Sequence, residues 1–213
     1  MNNNLPLTDT FLFLRPTLIY EQLHLYVFLD VITLLALAST CRYLNTKIRA
    51  YLCRCLTESL HDFLPQPAQF IACMRSTRTI ISGSFTLQFI FGSGQVPWNV
   101  HDLDLYTIQA QLPAVKAELQ KQGYHVVEES KPNVSEYSLS EIFSIVKLWS
   151  KGHTINLVVS RSSSPVAPIF QFHSTIIMNY ISVNSLFAAF PTTTAKYISM
   201  PNPSVFFQSH ATW

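Results

Sequence analysis

Asp102 and Asp104 sit two positions apart in Asp102-Leu103-Asp104-Leu105-Tyr106, downstream of Thr79-Ile80-Ile81-Ser82-Gly83-Ser84. Alternation along a strand puts both carboxylates on one face, about 7 Å apart, and sends Leu103 and Leu105 to the other. Two carboxylates aimed at one point from a rigid strand suit a hard cation such as Mg²⁺. Gly83-Ser84, between a β-rich run and a helical stretch, leaves backbone N–H groups free for a phosphate. The plain alternative is a pair of solvated acids hydrogen-bonded to nearby turns.

The elements that must hold these residues follow from pattern. The spacing predicts a short helix over Ala68–Met74, a strand over Thr79–Ile81 and a helix over Thr86–Phe91 stopped at Gly92-Ser93-Gly94. After the aspartate strand it predicts a helix over Leu112–Gln122 and a strand over Tyr124–Glu128. Phe143–Trp149 and Thr154–Ser160 read as strands joined by a hairpin turn at Ser150-Lys151-Gly152-His153. Pro168–Ile181 reads as a helix, with His173 as a core histidine, and the chain from Pro191 reads as irregular.

Upstream, Pro16 is placed for a first helical turn, followed by Leu18, Ile19, Gln22, Leu23, Tyr26 and Val27 at helical spacing. Asp30 stands as an N-cap before the apolar run Val31–Ala38, and a third helix is expected over Cys41–Leu60. Pro65-Gln66-Pro67 marks a boundary. Three short helices with so little polar surface should pack on the rest of the chain or on a partner.

The chain has 213 residues, room for one ordinary domain with a small appendage. Hydrophobic residues make up 48% and charged residues 12%, so a packed core is expected. A net charge of +2 gives no electrostatic argument for nucleic acid. Cys41, Cys53, Cys55 and Cys73 lack paired zinc-site spacing and read as buried thiols, which fits a cytoplasmic or nuclear protein. No signal peptide is expected, since Met1–Asn4 is polar and uncharged where a basic n-region should be. The apolar stretch Leu25–Ala38, interrupted by Asp30, is too short to cross a bilayer of about 30 Å.

Ile81-Ser82-Gly83-Ser84 followed by Asp102-Leu103-Asp104-Leu105 resembles the signature of the nucleotidyltransferase fold, with a spacer, Phe85 to His101, longer than in most members. Residues of roughly 40–195 look like a fungal group of uncharacterised proteins of this fold, through Ile81–Phe89, Asp102–Tyr106 and Phe172–Asn179. The resemblance implies an α+β fold, a mixed sheet flanked by helices over 68–195; the prolines and weak periodicity beyond it read as an irregular tail over 196–213. It also implies Mg²⁺ on Asp102 and Asp104 and a nucleoside triphosphate near Gly83 and Ser84.

The third carboxylate of that family falls at Asn156 here, which has no charge and does not usefully accept a proton. Two-metal chemistry needs more anionic ligands than two aspartates and an amide. Glu128 and Glu129 are substitutes to consider; His101 lies beside the site; Lys147, Lys151, Arg75 and Arg78 are scattered candidates for a triphosphate. Residues 10–62 resemble an F-box-like motif through Pro16, Leu34-Leu35-Ala36-Leu37 and Cys41-Arg42-Tyr43-Leu44-Asn45, which implies an Skp1-like adaptor bound through residues 14–60. An α-helical cap on the second domain is the competing reading. The expected function is a binding or adaptor protein with a degenerate site; the alternative is an active Mg²⁺-dependent nucleotidyltransferase.

Overall fold

A computed structural model describes residues 26–92, 96–131 and 141–203. The helix expected after Pro16 lies outside them up to residue 25. The chain divides into two compact units after Arg54.

In the first unit, helix α1 (Val31–Ala38) starts where Asp30 accepts a hydrogen bond from the Thr33 amide at 2.6 Å. That is the N-cap the sequence predicts, and it satisfies one of the helix's unpaired N–H groups. Helix α2 (Arg42–Leu60) supplies Ile48 to a small core with Tyr26, Leu34 and Ala38. The last residues of α2, Leu56 and Leu60, belong to the core of the second unit.

The second unit is α+β and is built on a seven-stranded mixed sheet in the order β3 (His125–Ser130), β4 (Ile142–Ser150), β5 (His153–Ser160), β2 (Asp102–Ile108), β1 (Ile80–Ser82), β6 (Asn179–Ile181) and β7 (Leu186–Ala188). Helix α3 (Pro67–Thr77) begins on a proline, whose missing N–H costs nothing in a first turn. Strand β1 (Ile80–Ser82) follows, three residues long and wholly buried. Helix α4 (Gly83–Phe91) leads to β2 (Asp102–Ile108), and α5 (Leu112–Lys121) to β3 (His125–Ser130). Strands β4 (Ile142–Ser150) and β5 (His153–Ser160) form the expected hairpin. Its turn, Lys151-Gly152, has φ of 47° and 90°. Two positive φ values in succession match the right-handed twist of the strands, and glycine makes the second one easy. Within the sheet only β2 and β5 run parallel.

The alternation of β2 is as read. Leu103 and Leu105 are fully buried on one face with Ile155, Leu157, Val146 and Leu148, under Val115 and Leu119 of α5 and Phe70 and Met74 of α3. The other face carries a smaller cluster of Ile80, Tyr106, Val158, Ile169 and Met178.

Pro168–Ile181 is not one helix. It forms 3₁₀ turns at Ala167–Gln171 and Thr175–Ile177 and then β6 (Asn179–Ile181), which pairs with β1 and with β7 (Leu186–Ala188). Ser174 is extended and bridges to Pro201, so the helical run is broken by pairing with distant segments. His173 is exposed, not a core residue. The stretch from Pro191 opens with a short helix, α6 (Pro191–Ala195), and Asn202 donates from its side chain to the carbonyls of Phe170 and Phe172. The four cysteines form no disulfide; Cys41 and Cys53 are exposed and Cys55 and Cys73 half-buried, against the expectation of buried thiols. No helix among the described residues is long and apolar enough to cross a membrane.

Leu105 at the centre of the sheet anchors the larger core. Leu105→Ala should cost about 2–5 kcal/mol, read as a fall in the urea midpoint with an unchanged slope.

Candidate functional site

Strand pairing assembles the site. Asp104 on β2 lies opposite Ser82 on antiparallel β1 and opposite Asn156 on parallel β5. Opposite residues of paired strands share a face, so Ser82, Asp104 and Asn156 form a row. Asp102 shares their face two residues back along β2. The Asn156 amide nitrogen donates to Asp102 Oδ2 at 3.0 Å and to Asp104 Oδ1 at 2.9 Å. One neutral donor thus holds both carboxylates on one point.

The Gly-Ser bend reaches the same point. A Cβ at Gly83 would lie 2.2 Å from Asp104 Oδ2, and the residue's φ is +74°. Both the space and the backbone require glycine there. The Ser82 side chain does not cap α4; it donates instead to the carbonyl of Asn179, which ties the first of the sequence motifs to the last. The leading N–H groups of α4 are therefore left without a side-chain cap, beside Asp104. The Ser84 hydroxyl is half-buried and has no hydrogen-bond partner among the described residues.

Asp104 is partly buried, and burial pushes its pKa up to about 6. The Asn156 hydrogen bond opposes that shift and the neighbouring Asp102 charge adds to it. Tyr106, next on the same face, is held above its ordinary range, first by burial and then by the Asp104 and Asp102 charges.

Further members come from register, which the sequence alone does not supply. Lys147 on β4 lies opposite Asn156, so this basic group stands in the row with Asp104. Two residues on, Trp149 pairs with Thr154, which pairs with Asp102, and it is 42% exposed. His101 is exposed, immediately before Asp102. Lys151 lies in the β4–β5 turn, and Arg75 and Arg78 lie at the opposite end of β1 from Gly83.

Glu128 and Glu129 do not complete the acid pair. Strand β3 is three strand spacings from β2, about 14 Å, and Glu129 is ion-paired to Lys116 of α5 at 3.4 Å. Among the described residues no group of three or more His, Cys, Asp or Glu side chains is placed to hold a metal ion. The residues fit one hard cation on two carboxylates, with Asn156 Oδ1 as a third ligand once the amide is turned. They do not fit a pair of ions.

Two measurements follow from this geometry. The folded protein holds the Asp104 proton more tightly than the unfolded chain, whose pKa is near 3.8. Stability should therefore fall as pH rises from about 4 to about 6, by about 2–3 kcal/mol, and stay lower above that. Asp104→Asn should flatten this dependence and raise stability at pH 7, read by thermal unfolding across pH. Gly83→Ala should cost about 1–3 kcal/mol through its φ and its clash with Asp104, read by the same melts.

No protein-family model matches the chain, and no curated protein matches it. Among solved structures, one described as a tRNA-processing enzyme (apo form I) aligns with 60% of this chain and 32% of its own, at 15% identity and a TM-score of 0.41. A second, described as a tRNA-processing enzyme (apo form 2), aligns with 66% of this chain and 39% of its own, at 14% identity and a TM-score of 0.45. The chain thus spans 32% and 39% of the length of the two.

Proposed function

We propose that this chain is a nucleotidyltransferase-like protein whose site binds a nucleotide or a single cation without transferring a nucleotidyl group. One observation carries the reading: Asn156 stands in register with Asp104, and its amide donates to both carboxylates. A third acid at that position would repel the pair and call for cations. The amide satisfies the pair instead and brings no base to take a proton from an attacking hydroxyl. A bound Mg²⁺ would be held by Asp102, Asp104 and a turned Asn156 amide and would supply charge neutralisation to a phosphate. Lys147 adds a positive charge on the same face, the α4 N-terminus adds N–H donors, and exposed Trp149 offers a ring for a base.

Calorimetry with Mg²⁺ and nucleoside triphosphates tests this. The native chain should bind Mg²⁺ weakly. Asn156→Asp should bind it at least about tenfold more tightly, since a third carboxylate raises the anionic ligand count. Equal affinity in both chains would remove the degenerate-site reading.

The second reading is an active enzyme, favoured by the contact of Gly83 with Asp104 and by Lys147 in the row. Incubation with labelled nucleoside triphosphates would then give a labelled product that disappears in Asp102→Ala and Asp104→Ala.

The adaptor role belongs to the same proposal. It is supported by the separate helical unit before Cys55, which exposes Phe28 (83%) and Leu35 (40%) as an apolar contact surface. Skp1 should be retained in a pull-down by the native chain and lost on deletion of residues 10–60. No retention by the native chain would leave those helices as a cap.

A further inference from the structure

A cleft of mixed lining lies on the second unit at the end of β1 away from Gly83, with a volume of about 280 Å³. Arg75, Arg78, Tyr180, Asn184 and the hydroxyl-bearing Ser182 and Ser185 are among its twelve lining residues, none of which is an aspartate or glutamate. In a chain of nearly balanced charge, two guanidinium groups on one acid-free cleft make a local positive field. Neither arginine has an ion-pair or hydrogen-bond partner among the described residues. Like charges facing one cleft repel, and a shared anion removes the repulsion.

The backbone supports a use for Arg78. It terminates α3 in the left-handed conformation, at φ 55°, where helices ordinarily place glycine. A non-glycine residue there carries strain, and that residue is one of those that line the cleft. Part of the lining is a tight turn: the Asn184 and Ser185 amides donate to Ser182 Oγ, which fixes the loop that carries Asn184. The Tyr180 hydroxyl has no partner among the described residues. The Tyr180 ring stacks on Phe187 at 4.9 Å, and Phe187 meets Phe170 edge-on at 6.3 Å. Phe187 and Phe170 are 36% and 46% exposed. Paired guanidiniums match phosphate oxygens in charge and in donor geometry. Tyr180, an aromatic among the lining residues, suits the flat base of a nucleotide.

We infer that the Arg75–Arg78 cleft is a phosphate-binding site, separate from the acid pair and independent of the function proposed for it. Its phosphate is carried by a mononucleotide or by single-stranded RNA. The test is titration of the full chain, monitored by calorimetry in EDTA so that no cation reports on Asp102 and Asp104. The probes are inorganic phosphate, adenosine 5′-monophosphate, adenosine and a single-stranded RNA decamer. Phosphate or adenosine 5′-monophosphate should bind and adenosine should not. Arg75→Gln/Arg78→Gln should weaken binding by about tenfold or more. Both side chains are exposed, so the fold should survive, and circular dichroism checks it. Arg78→Lys should retain part of the affinity, as expected for a charge without the planar fork. Tighter binding of the decamer than of the mononucleotide, still lost in the double variant, assigns the phosphate to RNA; the reverse order assigns it to a free nucleotide. Failure of all phosphate-bearing probes to bind, or affinity unchanged in the double variant, overturns the inference.

Discussion

Two carboxylates that share one strand face cannot both stay charged and partly buried without something between them. Here that something is the amide of Asn156. The hydrogen bonds require β5 to run parallel to β2 with Asn156 level with Asp104, and that register needs the crossover through α5, β3 and β4. The chain at residue 83 also comes close to Asp104, which only glycine permits. The centre of the sheet is therefore fixed by a polar contact as much as by the leucines behind it. A neutral amide can be contained there without an ion, whereas three acids could not.

The two faces of the sheet divide the work. The face bearing Leu103 and Leu105 is dry and is closed by α3 and α5. The other bears a cross-strand row of Glu128, Lys147, Asn156, Asp104 and Ser82, read from three successive pairings and the β1–β2 pair. At the Ile80 and Tyr106 level this second face turns apolar. A sheet with one polar end on one face can present chemistry there without weakening the core on the other.

Much of this was legible in the residues. Period-two alternation at Asp102–Leu105 announced which side chains face the core, and the Ser150–His153 turn announced the β4–β5 hairpin. Asp30 announced α1 as its cap. What was not legible depended on partners far along the chain. The apolar spacing from Pro168 to Ile181 fits a helix locally, but β1 needs a second neighbour, and the residues at 179–181 supply it. Lys147 looked like an isolated base because nothing in a sequence states register; only the β4–β5 pairing puts it beside Asn156. Glu128 and Glu129 lie on a predicted strand and so stand as substitutes for the missing acid, but the strand order puts β4 and β5 between them and the aspartates.

Strand β1 is three residues long, central, and flanked by β2 on one side and β6 on the other. Its bond from Ser82 to Asn179 spans 97 positions. A ribosome must therefore release most of the second unit before β1 gains its outer neighbour. Until then an apolar strand with unpaired amides is open to any passing chain, the condition that invites edge-to-edge association. A short strand limits that hazard by offering few bonds to a stranger, at the cost of a sheet whose two halves are joined by a narrow seam.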